Sequence, residues 1–157
     1  MPRREVVDVA LLEFGSVIGI RDCKLNDNES LSLSMGENVV IFVSFDDANE
    51  RLVFMTDFGE FPSGPHLPVM EQALRANMLG RDSLGATFAL EPETNTLVLL
   101  SKLDGATIDG KDVTACVERH LAVADAWIAH FDEAADDGSE KRETSTSPSF
   151  IDPTQFA

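Results

Sequence analysis

The stretch that most constrains the fold runs from Leu67 to Leu103, LPVMEQALRANMLGRDSLGATFALEPETNTLVLLSKL. It reads as a helix, a glycine-containing break and a strand–turn–strand unit. Pro68 suits a first helical turn, where its missing N–H would have had no partner anyway. At about 100° per residue, Leu67, Val69, Met70, Ala73, Leu74, Ala76 and Met78 cover more than half the helix circumference, and Glu71, Gln72 and Arg75 share a narrow polar strip. A surface helix on a single core needs a narrower apolar stripe. This one is expected to bury two sides, one against its own sheet and one against something else, most simply a second copy of the chain.

The segments before it set up the sheet. From Arg4 to Ile20 the chain reads as a helix whose Val6, Val7, Ala10, Leu11, Phe14, Val17 and Ile18 share one face, with Asp8, Gly15 and Ser16 opposite. Val9 and Leu12 fall on or beside the polar side. Isolated exposed apolar residues are common, so they are either incidental or part of a patch meant for a partner. After the turn cluster Asn26-Asp27-Asn28, Ser30 to Met35 alternates with period two, placing Leu31, Leu33 and Met35 on one face of a strand and the serines on the other. Val39 to Phe45 is a continuous β-branched and aromatic run, expected to be covered on both sides. Asp46 to Asn49 makes a short connection, and Leu52 to Phe58 returns as a third strand, favouring an antiparallel meander. Gly59 to Pro68 reads as a loop.

Beyond the central helix, Gly80 suits the position just past a helix end. Leu84 to Leu90 and Leu97 to Leu103 flank a turn at Glu91 to Asn95. Asp109 is placed as an N-cap with Asp112 three residues on, a capping box built with a shorter acid. Val113, Cys116, Val117, His120, Leu121, Ala124, Trp127, Ile128 and Phe131 then form one helical face to about Ala135. The order is α-β-β-β-α-β-β-α, an α+β fold with antiparallel strands. Residues 1–135 form one domain. Residues 136–157 read as a disordered, charged, Ser/Thr-rich tail, although Phe150, Ile151 and Phe156 exceed what a solubility tail needs. Either they are incidental, or they occupy a binding groove of the empty protein.

Composition narrows the chemistry. With 157 residues and 43% hydrophobic content, the chain can bury a core without metal or disulfide staples. Its 28 acidic against 12 basic residues give a net charge of −16, a field that repels nucleic acid and anionic membrane. No apolar run of about 18 residues is present, and MPRREVV lacks the apolar core of a signal peptide, so the expected location is the cytoplasm, without membrane insertion. Cys23 and Cys116 match no zinc spacing and are expected to be buried thiols. Gly80 to Gly85 lacks the Lys and spacing of a phosphate loop. His66, His120 and His130 form no ligand set, and His120 is expected in the core. The pairs Asp46-Asp47 and Asp136-Asp137 fall in a turn and at a helix exit, where solvated charge is the ordinary account. No catalytic, metal or cofactor site is expected.

The sequence resembles the class I chaperones of bacterial type III secretion, the Tir-chaperone (CesT-like) family. The resemblance is densest in Leu74-Arg75-Ala76-Asn77-Met78-Leu79-Gly80 and Gly85-Ala86-Thr87-Phe88-Ala89-Leu90-Glu91-Pro92. It continues through Leu97 to Leu100, Leu103, Ile108-Asp109 and Ala126-Trp127, and includes Leu11-Leu12, Gly15 and Ile18-Gly19 near the start. It covers roughly residues 4–132, and the tail has no place in it. The resemblance implies a homodimer, without cofactor or catalysis, that holds the N-terminal segment of an effector protein in extended form before export. The family's interface helix corresponds to Leu67–Leu79, with Met70, Ala73, Leu74 and Met78 at the dimer contact. The alternative is a dimeric protein-binding or regulatory module of the same architecture that serves no secretion system. The export ATPase of the secretion system is a further implied partner. Val9 and Leu12 on the first helix and Leu31 and Leu33 on the first strand are assigned as effector contacts. For Leu31 and Leu33 the plainer alternative is that they cover the domain's own core.

Overall fold

The computed structural model describes the backbone of residues 3–60 and 67–142, and side chains as far as 130 with Glu60 excepted. The elements are α1 (Arg3–Ile18), β1 (Ser30–Met35), β2 (Val39–Asp46), β3 (Arg51–Glu60), α2 (Leu67–Asn77), a 3-10 turn (Met78–Gly80), β4 (Thr87–Glu91), β5 (Thr96–Asp104) and α3 (Gly110–Arg142). This is the expected α+β order. The five strands form one antiparallel sheet in the order β1-β2-β3-β5-β4, with β1 to β3 as the anticipated meander. The loop expected between β3 and α2, with His66, lies outside the described residues, as does the end of the tail with Phe150, Ile151 and Phe156.

Register decides which side chains meet. Leu31, Leu33 and Met35 of β1 stand opposite Val43, Ile41 and Val39 of β2, and Val43 and Phe45 stand opposite Phe54 and Leu52 of β3. Alternation then puts all of them on one face of the sheet. That inner face carries α1 and α3, whose Val7, Leu11, Phe14, Val113 and Val117 join the same core cluster.

Two expectations need correcting. β2 is not covered on both sides: Val39, Ile41, Val43 and Phe45 are buried, whereas Val40 and Phe42 are 40% and 45% exposed. A β-branched run signals two buried faces only where a second layer lies across the sheet, and here the helices that cover β2 share one side. On α1, Val17 faces solvent and Gly15 is buried, the reverse of the wheel reading. The chain folds back after the helix, with Ile20 N–H donating to Gly15 C=O, so Cys23 lies on Gly15. A Cβ at Gly15 would stand 2.5 Å from the Cys23 Cβ, an impossible approach.

The helix ends follow their sequence signals. Asp109 Oδ1 accepts the amides of Lys111 and Asp112 at 2.8 and 2.9 Å, and Asp112 Oδ2 accepts the Asp109 amide at 3.1 Å, closing the box. α3 runs on to Arg142, past the boundary expected at Ala135. α2 ends in the 3-10 turn, where Leu79 and Gly80 both adopt positive φ (60° and 62°). The turn costs Leu79 a left-handed backbone and points its side chain into solvent.

Candidate binding surfaces

Three apolar surfaces remain open, each made by an element whose opposite side is core. The first is on α1. With Val7, Ala10, Leu11 and Phe14 turned inward, Val9 and Leu12 face out, 44% and 40% exposed. Leu12 also forms one wall of an open cleft of about 500 Å³, shared with Gly15, Ser16, Gly19, Ile20, Arg21 and Asp22. The N-terminal turn is pinned by Arg4, which donates to Asp8, Glu29 and the carbonyls of Leu25 and Asn26. That clamp fixes the angle between α1 and the chain leading into β1.

The second is the outer face of the sheet. Phe42 stands opposite Ser32 on β1 and Met55 on β3, and Met55 stands opposite Leu100 on β5. Val40, Phe42, Met55 and Leu100 therefore form an apolar band, with Ser32 and Ser34 beside it on β1 and Ser44 next to Phe42 along the same face of β2. Sequence reasoning missed this band by assigning β2 to the interior. The serine alternation of β1 was the available signal, because Ser32 and Ser34 pair directly with Phe42 and Val40 and would be poor neighbours for a second core.

The third surface is the outer side of α2. Val69, Ala73 and Ala76 pack into the protomer's own core, Met70 is half-buried, and Leu74 and Met78 are 71% and 70% exposed. Leu79, in the turn that follows α2, is also exposed, as are Leu84 and Leu90, and none of the three was assigned as a contact from the sequence. The helix is fastened to the sheet by Asn77, whose amide donates to Phe88 C=O at 3.0 Å and accepts Phe88 N–H at 2.7 Å. One side chain thus pairs with the free backbone edge of β4 as a neighbouring strand would.

The sequence-assigned contacts are distributed unevenly over these surfaces. Val9 and Leu12 lie together on the first. Leu31 is half-buried against the core and Leu33 is buried in it, so both stand on the inner sheet face, away from Val40 and Phe42. Among the residues assigned from the sequence to a dimer contact, Leu74 and Met78 offer the most free surface and Ala73 the least.

Among the buried polar groups of the described residues, Ser83 Oγ has no hydrogen-bond partner, whereas His120 is paired within the fold. His120 is buried as expected, its Nε2 2.9 Å from Thr56 Oγ1 and its Nδ1 2.8 Å from Ser101 Oγ. Burial lowers its pKa to about 4, keeping the ring neutral. Both thiols are buried and pushed up by desolvation, Cys116 to about 11. Asp46 and Glu91 are held below the usual carboxylate range by hydrogen bonds from Asn49 and Thr94, their own turn neighbours. Among the described residues no group of three or more His, Cys, Asp or Glu could hold a metal ion, and no helix is long and apolar enough to cross a membrane.

One antiparallel sheet, helices packed on its inner face and three open apolar surfaces define an α+β scaffold of the secretion-chaperone type. The chain belongs to the Tir chaperone protein (CesT) family, whose pattern matches residues 10–128. The fold is similar to a chain of the ExsC–ExsE complex, with a TM-score of 0.70 and 20% identity over 82% of this chain and 96% of that one. It is also similar to a chain of the complex of the Yersinia pestis type III secretion chaperone SycH with a stable fragment of YscM2, with a TM-score of 0.59 and 17% identity over 79% and 98% of the two chains. A third similarity is to the heterodimeric ExoU–SpcU complex from the type III secretion system of Pseudomonas aeruginosa, with a TM-score of 0.57 and 20% identity over 74% and 93%. At these identities the likeness establishes the fold. No curated protein sequence matches the chain significantly.

Proposed function

We propose that this protein is an effector chaperone of a type III secretion system, working in the bacterial cytoplasm as a homodimer. It binds the N-terminal segment of its client in extended form and keeps it soluble and ready for export. The observation that carries this reading is the family match across residues 10–128 on a chain whose first helix and outer sheet face leave Val9, Leu12, Val40 and Phe42 uncovered. The complexes to which the fold is similar, described as chaperone–effector or type III secretion assemblies, support it. An unfolded client segment must bury its apolar side chains somewhere, and β1 is an edge strand with one row of backbone groups free to pair with it. Ordering such a segment costs several kcal/mol, so a wrapped area of roughly 1,000–3,000 Å² is needed, more than one of these surfaces provides. A second protomer joined through Met70, Leu74 and Met78 doubles the area, with the small Ala73 allowing close approach. Binding energy alone does this work, without a cofactor, and the loaded complex is then received by the export ATPase.

The test is co-expression with an effector encoded beside the gene. The chaperone and the effector's N-terminal segment should co-purify in a complex of two chaperone chains to one effector by light scattering. Val9→Asp with Leu12→Asp should leave the dimer folded and remove the effector. Undiminished co-purification of that double variant sinks the α1 assignment, and a strictly monomeric wild type at micromolar concentration sinks the dimeric cradle.

A further inference from the structure

A chain of buried hydrogen bonds crosses the molecule from α3 to β2. Thr56 Oγ1, on β3, stands 3.1 Å from the Val40 carbonyl and 2.9 Å from His120 Nε2. A carbonyl oxygen only accepts, so the single hydroxyl proton of Thr56 goes to Val40, and toward the ring Thr56 Oγ1 is an acceptor. His120 Nε2 must therefore carry the proton. In a neutral imidazole the other nitrogen is then bare, so Nδ1 accepts from the Ser101 hydroxyl at 2.8 Å. In a neutral ring, the inability of Val40 C=O to donate fixes the direction of every bond in the series.

The terminus of this chain is not an ordinary strand position. The β2–β3 ladder begins at Phe42 opposite Met55, so Val40, still paired with Ser34 of β1, lies past the residues paired with β3. Where backbone pairing with β3 has stopped, the Thr56 side chain is what ties β2 to β3. Val40 and Phe42 are also the exposed apolar residues of the outer sheet face.

We propose that His120 is a positioning residue: held as the Nε2–H tautomer in a one-way relay Ser101–His120–Thr56–Val40, it pins the end of β2 that β3 leaves unpaired, and the apolar face it carries, to helix α3. The groups facing the ring are Thr56 from β3, Ser101 from β5 and Cys116 from its own helix, and Asp57 and Lys102 stand on the opposite sheet face by alternation. None of the facing groups is charged at neutral pH, so nothing there favours an imidazolium.

Long-range proton–nitrogen correlation spectra of the ring in the wild-type protein test this directly. A single form with protonated Nε2 and bare Nδ1 is expected for His120 at pH 7, and a protonated Nδ1 or a mixture of both forms overturns the proposal. Two nearly isosteric variants then check the direction. Thr56→Val removes the acceptor that Nε2–H has among the described residues, so the ring should flip to Nδ1–H, with Ser101 now accepting. Amide exchange at Phe42 should rise roughly tenfold, the loss of about one buried hydrogen bond. Ser101→Ala should keep the Nε2–H form and leave Phe42 exchange within about twofold, because Val40 still orients Thr56. Equal effects of the two variants on tautomer and exchange would mean the relay has no direction, and the assignment to His120 fails.

Discussion

The two faces of the sheet carry side chains of the same kind and have opposite fates. Phe54 and Phe42 sit on neighbouring strands, one on each face. Phe54 is sealed beneath α1 and α3, and Phe42 is left to solvent. Apolar character alone therefore does not decide what is core in this chain. The helices do, because α1 and α3 share the inner face. What the inner face contributes is stability, and what the outer face retains is unspent apolar surface. Substitutions on the two sides should separate these contributions.

The largest expected effect is on the inner side. Phe54→Ala removes a fully buried ring at the sheet centre and should lower the unfolding free energy by about 3–5 kcal/mol, measured by urea denaturation. Next comes acid acting through His120. Its pKa is about 4 in the folded chain and about 6.5 unfolded, so between those values only the unfolded chain takes up the proton. Stability is thus level above about pH 7 and falls as pH drops toward 4, by about 3 kcal/mol in all. Protonation of acidic residues, which relieves repulsion in a chain of net charge −16, acts over part of the same range. The comparison is therefore with His120→Gln: the stability gap between the two proteins should shrink as pH falls from 7.5 to 4.5. A gap that is constant with pH would show that the ring does not resist protonation.

Smaller, and on the seam between the faces, is Asn77→Ala. It frees both backbone groups of Phe88 on the β4 edge and should cost about 2 kcal/mol while speeding amide exchange along β4. An effect below about 0.5 kcal/mol would mean that water replaces the amide fully and that packing alone holds α2 in place.

Much of this architecture is legible in the sequence, because the signals are local. Alternation in SLSLSM marks β1, Asp109 and Asp112 mark the start of α3, and Leu74 to Gly80 marks the end of α2. The misplaced residues all depend on what lies across space. Val40 and Phe42 look like core from their neighbours along the chain, and only the stacking of α1 and α3 on one side exposes them. Gly15 looks solvent-facing on a wheel until the chain folds back and Cys23 covers it. The candidate surfaces divide in the same way. Val9 and Leu12 stand out on one helix, whereas the outer sheet band is assembled from β2, β3 and β5 and needs the register to be seen.

The smallest expected effect on stability is the sharpest test of the comparison. Phe42→Ser, on the outer face, matches Phe54→Ala in losing one aromatic ring from a central strand. Phe42 is already nearly half exposed, so its removal takes little apolar surface out of contact, and the serine joins the row of Ser32, Ser34 and Ser44. The unfolding free energy should change by no more than about 1 kcal/mol. If the outer face is the part of the molecule that engages a client, the same substitution should weaken binding of the effector segment by about tenfold or more, read by titration calorimetry. A Phe42→Ser protein as unstable as Phe54→Ala would mean that the two faces are equivalent in holding the fold. A stable variant with undiminished client binding would leave the outer band without a role and direct the search back to α1.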